Sequence, residues 1–157
     1  MIKVNIKTPS PSAIAKRLNG LITAPFIAKI NSDVIPEIKK LVASGQSPVD
    51  GYGRFPMYKN KDKYPGKRKS ARPVNLDLTG VMMSKYDAHQ VSTSTKIIGI
   101  GYQKITQELE GKIIGNNEGK KGIPLRRFIP LNGESFTVSV IRKLKDVYAR
   151  RISELFK

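Results

Sequence analysis

The one histidine, His89, stands two residues after Asp87, and an imidazole beside a carboxylate is the smallest kit for moving a proton. Nothing completes it. The pair falls in a helix-to-strand connection, with no second imidazole to share a metal and no serine or cysteine nucleophile at a supporting distance in sequence. The twelve Asp and Glu are scattered. Glu108 and Glu110 lie on opposite sides of one expected helix, so two-metal nuclease chemistry finds no ligand set. Gly99-Ile100-Gly101 follows a strand, but no third glycine completes a dinucleotide fingerprint, and it reads as a tight strand exit. Gly66-Lys67-Arg68-Lys69-Ser70 resembles a phosphate loop only in part, because Asp62 stands where the leading glycine belongs. With no cysteine in the chain, disulfides, thiolate metal sites and thiol redox chemistry are excluded, which suits a reducing cytoplasm. The chain is therefore expected to be no enzyme, with no catalytic, cofactor-binding or metal-binding residues and no cofactor.

What remains is charge. The 157 residues carry 29 Lys and Arg against 12 Asp and Glu, a formal net charge of +17, and self-repulsion of that size calls for a polyanion or an acidic neighbour. The excess is concentrated between Gly45 and Asn75. After Ser47-Pro48-Val49-Asp50 come Arg54, Lys59, Lys61, Lys63, Lys67, Arg68, Lys69 and Arg72, opposed by Asp62 and interleaved with Tyr52, Phe55, Tyr58 and Tyr64. Such a stretch buries too little apolar surface to offset its ordering entropy, and reads as an extended basic surface loop. Three roles are open to it: phosphate-backbone contact with Tyr52, Tyr58 and Tyr64 stacking on bases, docking on a neighbouring subunit, or a solvated loop that leaves its aromatics stranded in water.

The elements that would position these groups follow from periodicity. Met1 to Lys7 alternates Ile2, Val4 and Ile6 with Lys3, Asn5 and Lys7, the mark of a half-buried strand at a sheet edge and not of a signal peptide. Thr8-Pro9-Ser10-Pro11-Ser12 supplies capping hydroxyls for a helix from Ala13 to Leu18, interrupted by Gly20. From Ala24 to Ala43, Ile27, Ile30, Val34, Ile38, Leu41 and Val42 form an apolar stripe, kinked or divided at Pro36 and closed by Ser44-Gly45. A short helix is expected over Asn75 to Tyr86, capped by Asn75 or Asp77. Two strands follow, at Gln90 to Thr93 and Thr95 to Tyr102. Gln103 to Ile114 has helical spacing, and Gly115-Asn116-Asn117-Glu118-Gly119 reads as a loop. The strongest helix runs from Phe136 to Phe156, with Arg142, Lys143, Lys145, Arg150 and Arg151 on its outer face. No run of about 18 apolar residues offers a membrane span, so the chain is expected to be soluble and unexported. Its length suits a single domain over residues 1–157, in which 45–75 is the extended basic loop.

The order of these parts resembles a known family. A long amphipathic helix and a basic Pro/Gly-rich loop precede Leu76-Asp77-Leu78-Thr79-Gly80-Val81-Met82-Met83-Ser84, then two strands, Gly122-Ile123-Pro124-Leu125-Arg126-Arg127-Phe128-Ile129-Pro130 and a terminal helix. This is similar to the tail-completion and neck (head-tail joining) proteins of tailed bacteriophages. There, a leucine, one or two residues and Thr-Gly-apolar open a short helix before a hairpin, and a Pro-any-Arg-any-Phe turn precedes the final helix. Leu78-Thr79-Gly80-Val81 and Pro124-Leu125-Arg126-Arg127-Phe128 fill those places, over most of the chain from Ala24 onward. The resemblance implies an α+β fold, a small, mainly antiparallel sheet flanked by a long N-terminal helix region and a C-terminal helix. It also implies a structural virion protein, made in the host cytoplasm, that forms a homo-oligomeric ring joining portal or connector to tail around the DNA channel, with no membrane partner. Arg54, Lys59, Lys67, Arg68, Lys69 and Arg72 are then the expected contacts to DNA or an acidic partner. Arg126 and Arg127 come second, since an arginine in a turn before a helix can instead bond local carbonyls. The alternative is a nucleic-acid-binding protein outside any virion, with the same electrostatics but neither an RRM-type aromatic strand motif nor a KH-type Gly-any-any-Gly clamp. A nuclease is the weakest reading.

Overall fold

Hydroxyl caps start three of the helices. In the computed structural model, which describes residues 10–57, 76, 81–91, 97–120 and 122–157, the side chains of Ser10, Thr23 and Thr106 accept the backbone N–H of Ala13, Phe26 and Leu109 at 3.3, 3.4 and 3.3 Å. They open α1 (Pro11–Asn19), α2 (Ala24–Asp33) and α5 (Gln107–Glu118). The stripe from Ala24 is divided, not merely kinked: α2 ends at Asp33, Val34 stands between the two helices, and α3 (Ile35–Ala43) begins with Pro36 in its first turn. Proline has no N–H to continue the ladder, so the chain re-caps there, with Glu37 N–H on the Val34 carbonyl at 3.0 Å. Gly45, at φ 77°, closes α3 in the left-handed region.

After α4 (Val81–Ser84), β1 (Asp87–Gln90) and β2 (Ile98–Gly101) pair antiparallel, Asp87 opposite Gly101 and Gln90 opposite Ile98. They form a two-stranded sheet, and α6 (Val138–Leu155) ends the chain. The architecture is α+β, a small antiparallel sheet flanked by helices. A single apolar cluster unites Phe26, Ile30, Val34, Ile38 and Val42 of α2 and α3 with Val140 and Val147 of α6, Ala88 of β1, Tyr86 and Phe128. Burying each large side chain contributes about 1.5–3 kcal/mol. The Phe26 ring meets Tyr148 edge-on at 4.9 Å, fixing α2 on α6. Asn31 joins α2 to the sheet: its amide donates to the Ala88 carbonyl at 2.9 Å and accepts the Ala88 N–H at 2.7 Å.

Several sequence expectations are corrected. The first strand begins earlier than expected, at Asp87–Gln90, with Val91 a bend and Ser92 and Thr93 outside the described residues, so His89 belongs to β1, where its ring bonds Asp87 at 3.1 Å and covers Gly99. A Cβ at Gly99 would come within 2.7 Å of the His89 Nε2. The helix expected from Asn75 is described only at Val81–Ser84, with Met83 inward and Val81 half exposed. Leu76, at φ 54°, is not helical, and the proposed caps Asn75 and Asp77 lie outside the described residues, as does the Met1 to Lys7 strand. Most consequentially, α5 does not stop at Ile114; it runs through Gly115, Asn116 and Asn117 to a left-handed Gly119 at φ 69°.

Candidate interaction site

The stretch from Gly45 was expected to be a solvated surface, but its first part is core. Ser47, Val49 and Phe55 are 4%, 1% and 7% exposed. What holds them is a set of polar groups from three separated pieces of chain. Val49 bridges antiparallel to Phe136 and Gln46 to Arg54; Thr137 donates its N–H to the Pro48 carbonyl at 2.8 Å, and Asp50 its N–H to that of Ser135 at 2.9 Å. The Ser47 hydroxyl reaches the Arg127 carbonyl at 2.6 Å.

The two arginines of the Pro124–Phe128 turn complete this joint from inside. Arg126 is 2% exposed. Its guanidinium donates to the Pro56 carbonyl at 3.2 Å, the Met57 carbonyl at 3.3 Å and the Asn116 Oδ1 at 2.9 Å, while its backbone N–H bonds the Asn116 carbonyl at 2.7 Å. A planar fork suits this; a lysine ammonium would not span three acceptors in fixed directions. Arg127, 9% exposed, donates to the Asn117 carbonyl at 2.7 Å and lies 5.2 Å from the centre of the Tyr52 ring. Its Nε sits 3.2 Å from the Glu134 Oε2, close enough for an ion pair but too far off line for a directed hydrogen bond. Glu134 also accepts the Leu131 N–H at 2.8 Å and the Tyr52 hydroxyl. The Leu131 amide first, then the Tyr52 hydroxyl and the Arg127 charge, hold its carboxyl below the ordinary glutamate value.

Asn117, buried in the last turn of α5, does for the turn what a neighbouring strand would. Its Oδ1 accepts the N–H of Phe128 and of Ile129, both at 2.8 Å, and its amide donates to the Ile129 carbonyl at 3.1 Å. Gly115 packs closely beside it: a Cβ there would come within 2.9 Å of Ile123 Cδ1, the tip of a side chain that would have to shift. Sequence reasoning missed Ser47, Asn116, Asn117 and Glu134. The Gly-Asn-Asn-Glu-Gly run is the available signal, but its turn-forming composition points to a loop.

The predicted contact residues therefore separate. Arg126 and Arg127 are placed in the interior, bonded to this chain's own carbonyls, rather than on an accessible contact surface. Tyr52 is held in the joint rather than free to stack, and Phe55 is core. Arg54 is exposed and lines an open cleft of about 510 Å³ with Asp50, Thr137 and Ser139. Lys59, Lys67, Arg68, Lys69 and Arg72 lie outside the described residues. Of the α6 cations, Arg151 is turned onto the Gly20 and Leu21 carbonyls at 2.9 and 3.3 Å, tying α1 to α6. Among the described residues no cluster of three or more His, Cys, Asp or Glu could hold a metal, and no helix is long and apolar enough to cross a membrane. Compared with known proteins, the chain matches no family model and, at a significant level, no curated protein and no solved structure.

Proposed function

We propose that this chain is a structural subunit of the head-to-tail junction of a tailed-bacteriophage virion, a tail-completion or neck protein closing into a ring that joins portal or connector to tail around the DNA channel. One observation carries the reading: Arg126, in the Pro-any-Arg-any-Phe turn, grips the carbonyls of Pro56 and Met57, the last described residues before the run holding Lys59, Lys67, Arg68, Lys69 and Arg72. The motif and the basic run, 50 residues or more apart in sequence, are thus linked by a buried joint that fixes the residues directly ahead of the cationic segment. A ring subunit lining a polyanion or docking on an acidic connector needs such a joint. The α+β arrangement, with α4 opening ahead of the hairpin and α6 closing the chain, follows the order the resemblance implies.

The net charge of +17 favours a second reading, a nucleic-acid-binding protein outside any virion. Light scattering across a salt series, with and without duplex DNA, separates the two. A discrete ring supports the junction reading; a monomer that binds DNA with affinity falling steeply as salt rises supports the other. Neutralising Lys67, Arg68 and Lys69 together is expected to leave a folded protein and to block head-to-tail joining; undiminished assembly of infectious particles would overturn the role given to the basic run.

A further inference from the structure

The two edges of the hairpin are treated differently. Val91 N–H bonds the Ile97 carbonyl at 3.1 Å, which makes 91 and 97 a hydrogen-bonded pair. In an antiparallel ladder such pairs alternate, so His89 with Gly99 and Asp87 with Gly101 also face one another through their backbone groups. Ala88 on β1, and Ile98 and Ile100 on β2, must then point their N–H and C=O outward. On β1 the outward groups of Ala88 are both taken by the Asn31 side chain. That edge is closed. On β2 no hydrogen bond among the described residues reaches the outward groups of Ile98 or Ile100, and the one extensive element contact of β2 is with β1. This is an open edge, the kind of template that accepts a further strand.

We propose that β2 receives the Met1 to Lys7 segment of a neighbouring copy, adding a third strand across the contact between subunits. The chemistry of that segment matches the slot. Ile98 and Ile100 pack against the core on one face, while the other face carries no side chain at Gly99, which His89 of the paired strand covers, or at the buried Gly101, beside the exposed Ile97. A strand with Ile2, Val4 and Ile6 on one side and Lys3, Asn5 and Lys7 on the other would continue the isoleucine face over the core and set its polar residues beside the glycines. The donor lies before α1 and the acceptor is the outer edge of β2, two different surfaces. Each copy therefore gives to one neighbour and takes from the other, the head-to-tail relation that closes into a ring. The choice of a neighbouring copy over the chain's own terminus rests on the ring reading above.

The absence of cysteine makes the test direct. Ile97→Cys, 56% exposed, is combined in turn with Lys3→Cys, Asn5→Cys and Lys7→Cys, and with Val4→Cys as the opposite-face control. Each protein is oxidised, run on a denaturing gel and sized by light scattering. Covalent chain-to-chain ladders from one or two of the odd-numbered pairs, and none from the Val4 pair, are the expected result. A disulfide confined within single chains overturns the exchange between copies. A ring by light scattering with no ladder from any pair overturns strand exchange and leaves the ring reading standing; a monomer with no ladder overturns both. As a second measurement that needs no disulfide, deleting residues 1–8 is expected to abolish the ring while the far-ultraviolet spectrum keeps its helical signal, and an intact ring after that deletion would also overturn the proposal.

Discussion

Arg127 holds its guanidinium 5.2 Å from the centre of the Tyr52 ring, and the hydroxyl of that tyrosine bonds Glu134, the carboxylate paired with the same arginine. The three side chains close a loop of contacts between the segment after α3 and the turn before α6. Removing only the hydroxyl, in Tyr52→Phe, is expected to lower stability by about 1 kcal/mol. Tyr52→Ala takes away the ring as well and should be worse by roughly a further 1–2 kcal/mol. Urea unfolding midpoints of the two variants check this, and equal midpoints would show that the ring adds nothing.

Acid should loosen this joint late. Glu134 has its carboxyl lowered from 4.5 by the Leu131 amide, then the Tyr52 hydroxyl and the Arg127 charge. A group depressed in the folded state stabilises fully above its unfolded value and stops doing so as pH falls through the folded one. Thermal midpoints measured from pH 7 down to pH 3 should therefore hold level to about the ordinary glutamate range and then fall. In Glu134→Gln the midpoint should start lower and fall less steeply below it; an unchanged acid limb would remove Glu134 from the joint.

Arg126→Lys keeps the charge and loses the fork. The Pro56 and Met57 carbonyls and the Asn116 amide oxygen then compete for one short ammonium inside the protein, and the expected loss is about 3–5 kcal/mol. Hydrogen exchange supplies the local readout: the Phe55 N–H, bonded to the Gly45 carbonyl at 2.8 Å, should lose protection in the variant before the amides of α2 do. Uniform loss across both would mean Arg126 supports the whole fold and not this joint in particular.

Tyr86 is fully buried and its hydroxyl has no hydrogen-bond partner among the described residues, so Tyr86→Phe should stabilise the protein by about 1 kcal/mol. Burial, and then the neighbouring Tyr102, push its phenol well above the ordinary value of 10. The sign follows: its neutral form stabilises below the unfolded value, and that support is lost as pH rises beyond it. Wild type should begin to lose stability above about pH 10, and Tyr86→Phe should carry the alkaline limb upward. Thermal melts between pH 8 and 11.5 decide it.

Asn117→Ala deletes two acceptances and one donation at Phe128 and Ile129 and is expected to cost about 2–4 kcal/mol. Asn117→Asp keeps the acceptor for both N–H groups but turns the donor facing the Ile129 carbonyl into a second oxygen. Its loss should shrink as pH falls through the aspartate range and the acid regains a proton to donate. Urea unfolding of both variants at pH 4 and pH 7 checks it; a pH-independent Asp variant would argue against the donation.

Local rules in the sequence reached as far as local structure goes. The hydroxyl of Ser10, the missing N–H of Pro36, the left-handed Gly45 and the apolar stripes of α2, α3 and α6 all act within a turn or two of their own positions, so residue type and spacing suffice to find them. The α+β class and the charge excess were legible for the same reason. Tertiary structure decided whatever depends on a partner distant in sequence. Gly115-Asn116-Asn117 looks like a turn until Ile123, Phe128 and Ile129 fold against it; the amide of Asn117 then bonds the turn instead of competing with its own helix, and α5 continues. Ser47, Val49 and Phe55 look like part of a solvated loop until the bridge from Val49 to Phe136 and the bond from the Ser47 hydroxyl to the Arg127 carbonyl fold this stretch into the body. The two arginines carry the same formal charge as those of the basic run, and only burial, with carbonyls converging on their forks, makes them the inside of the joint, because a charge can leave water only where its hydrogen bonds are replaced.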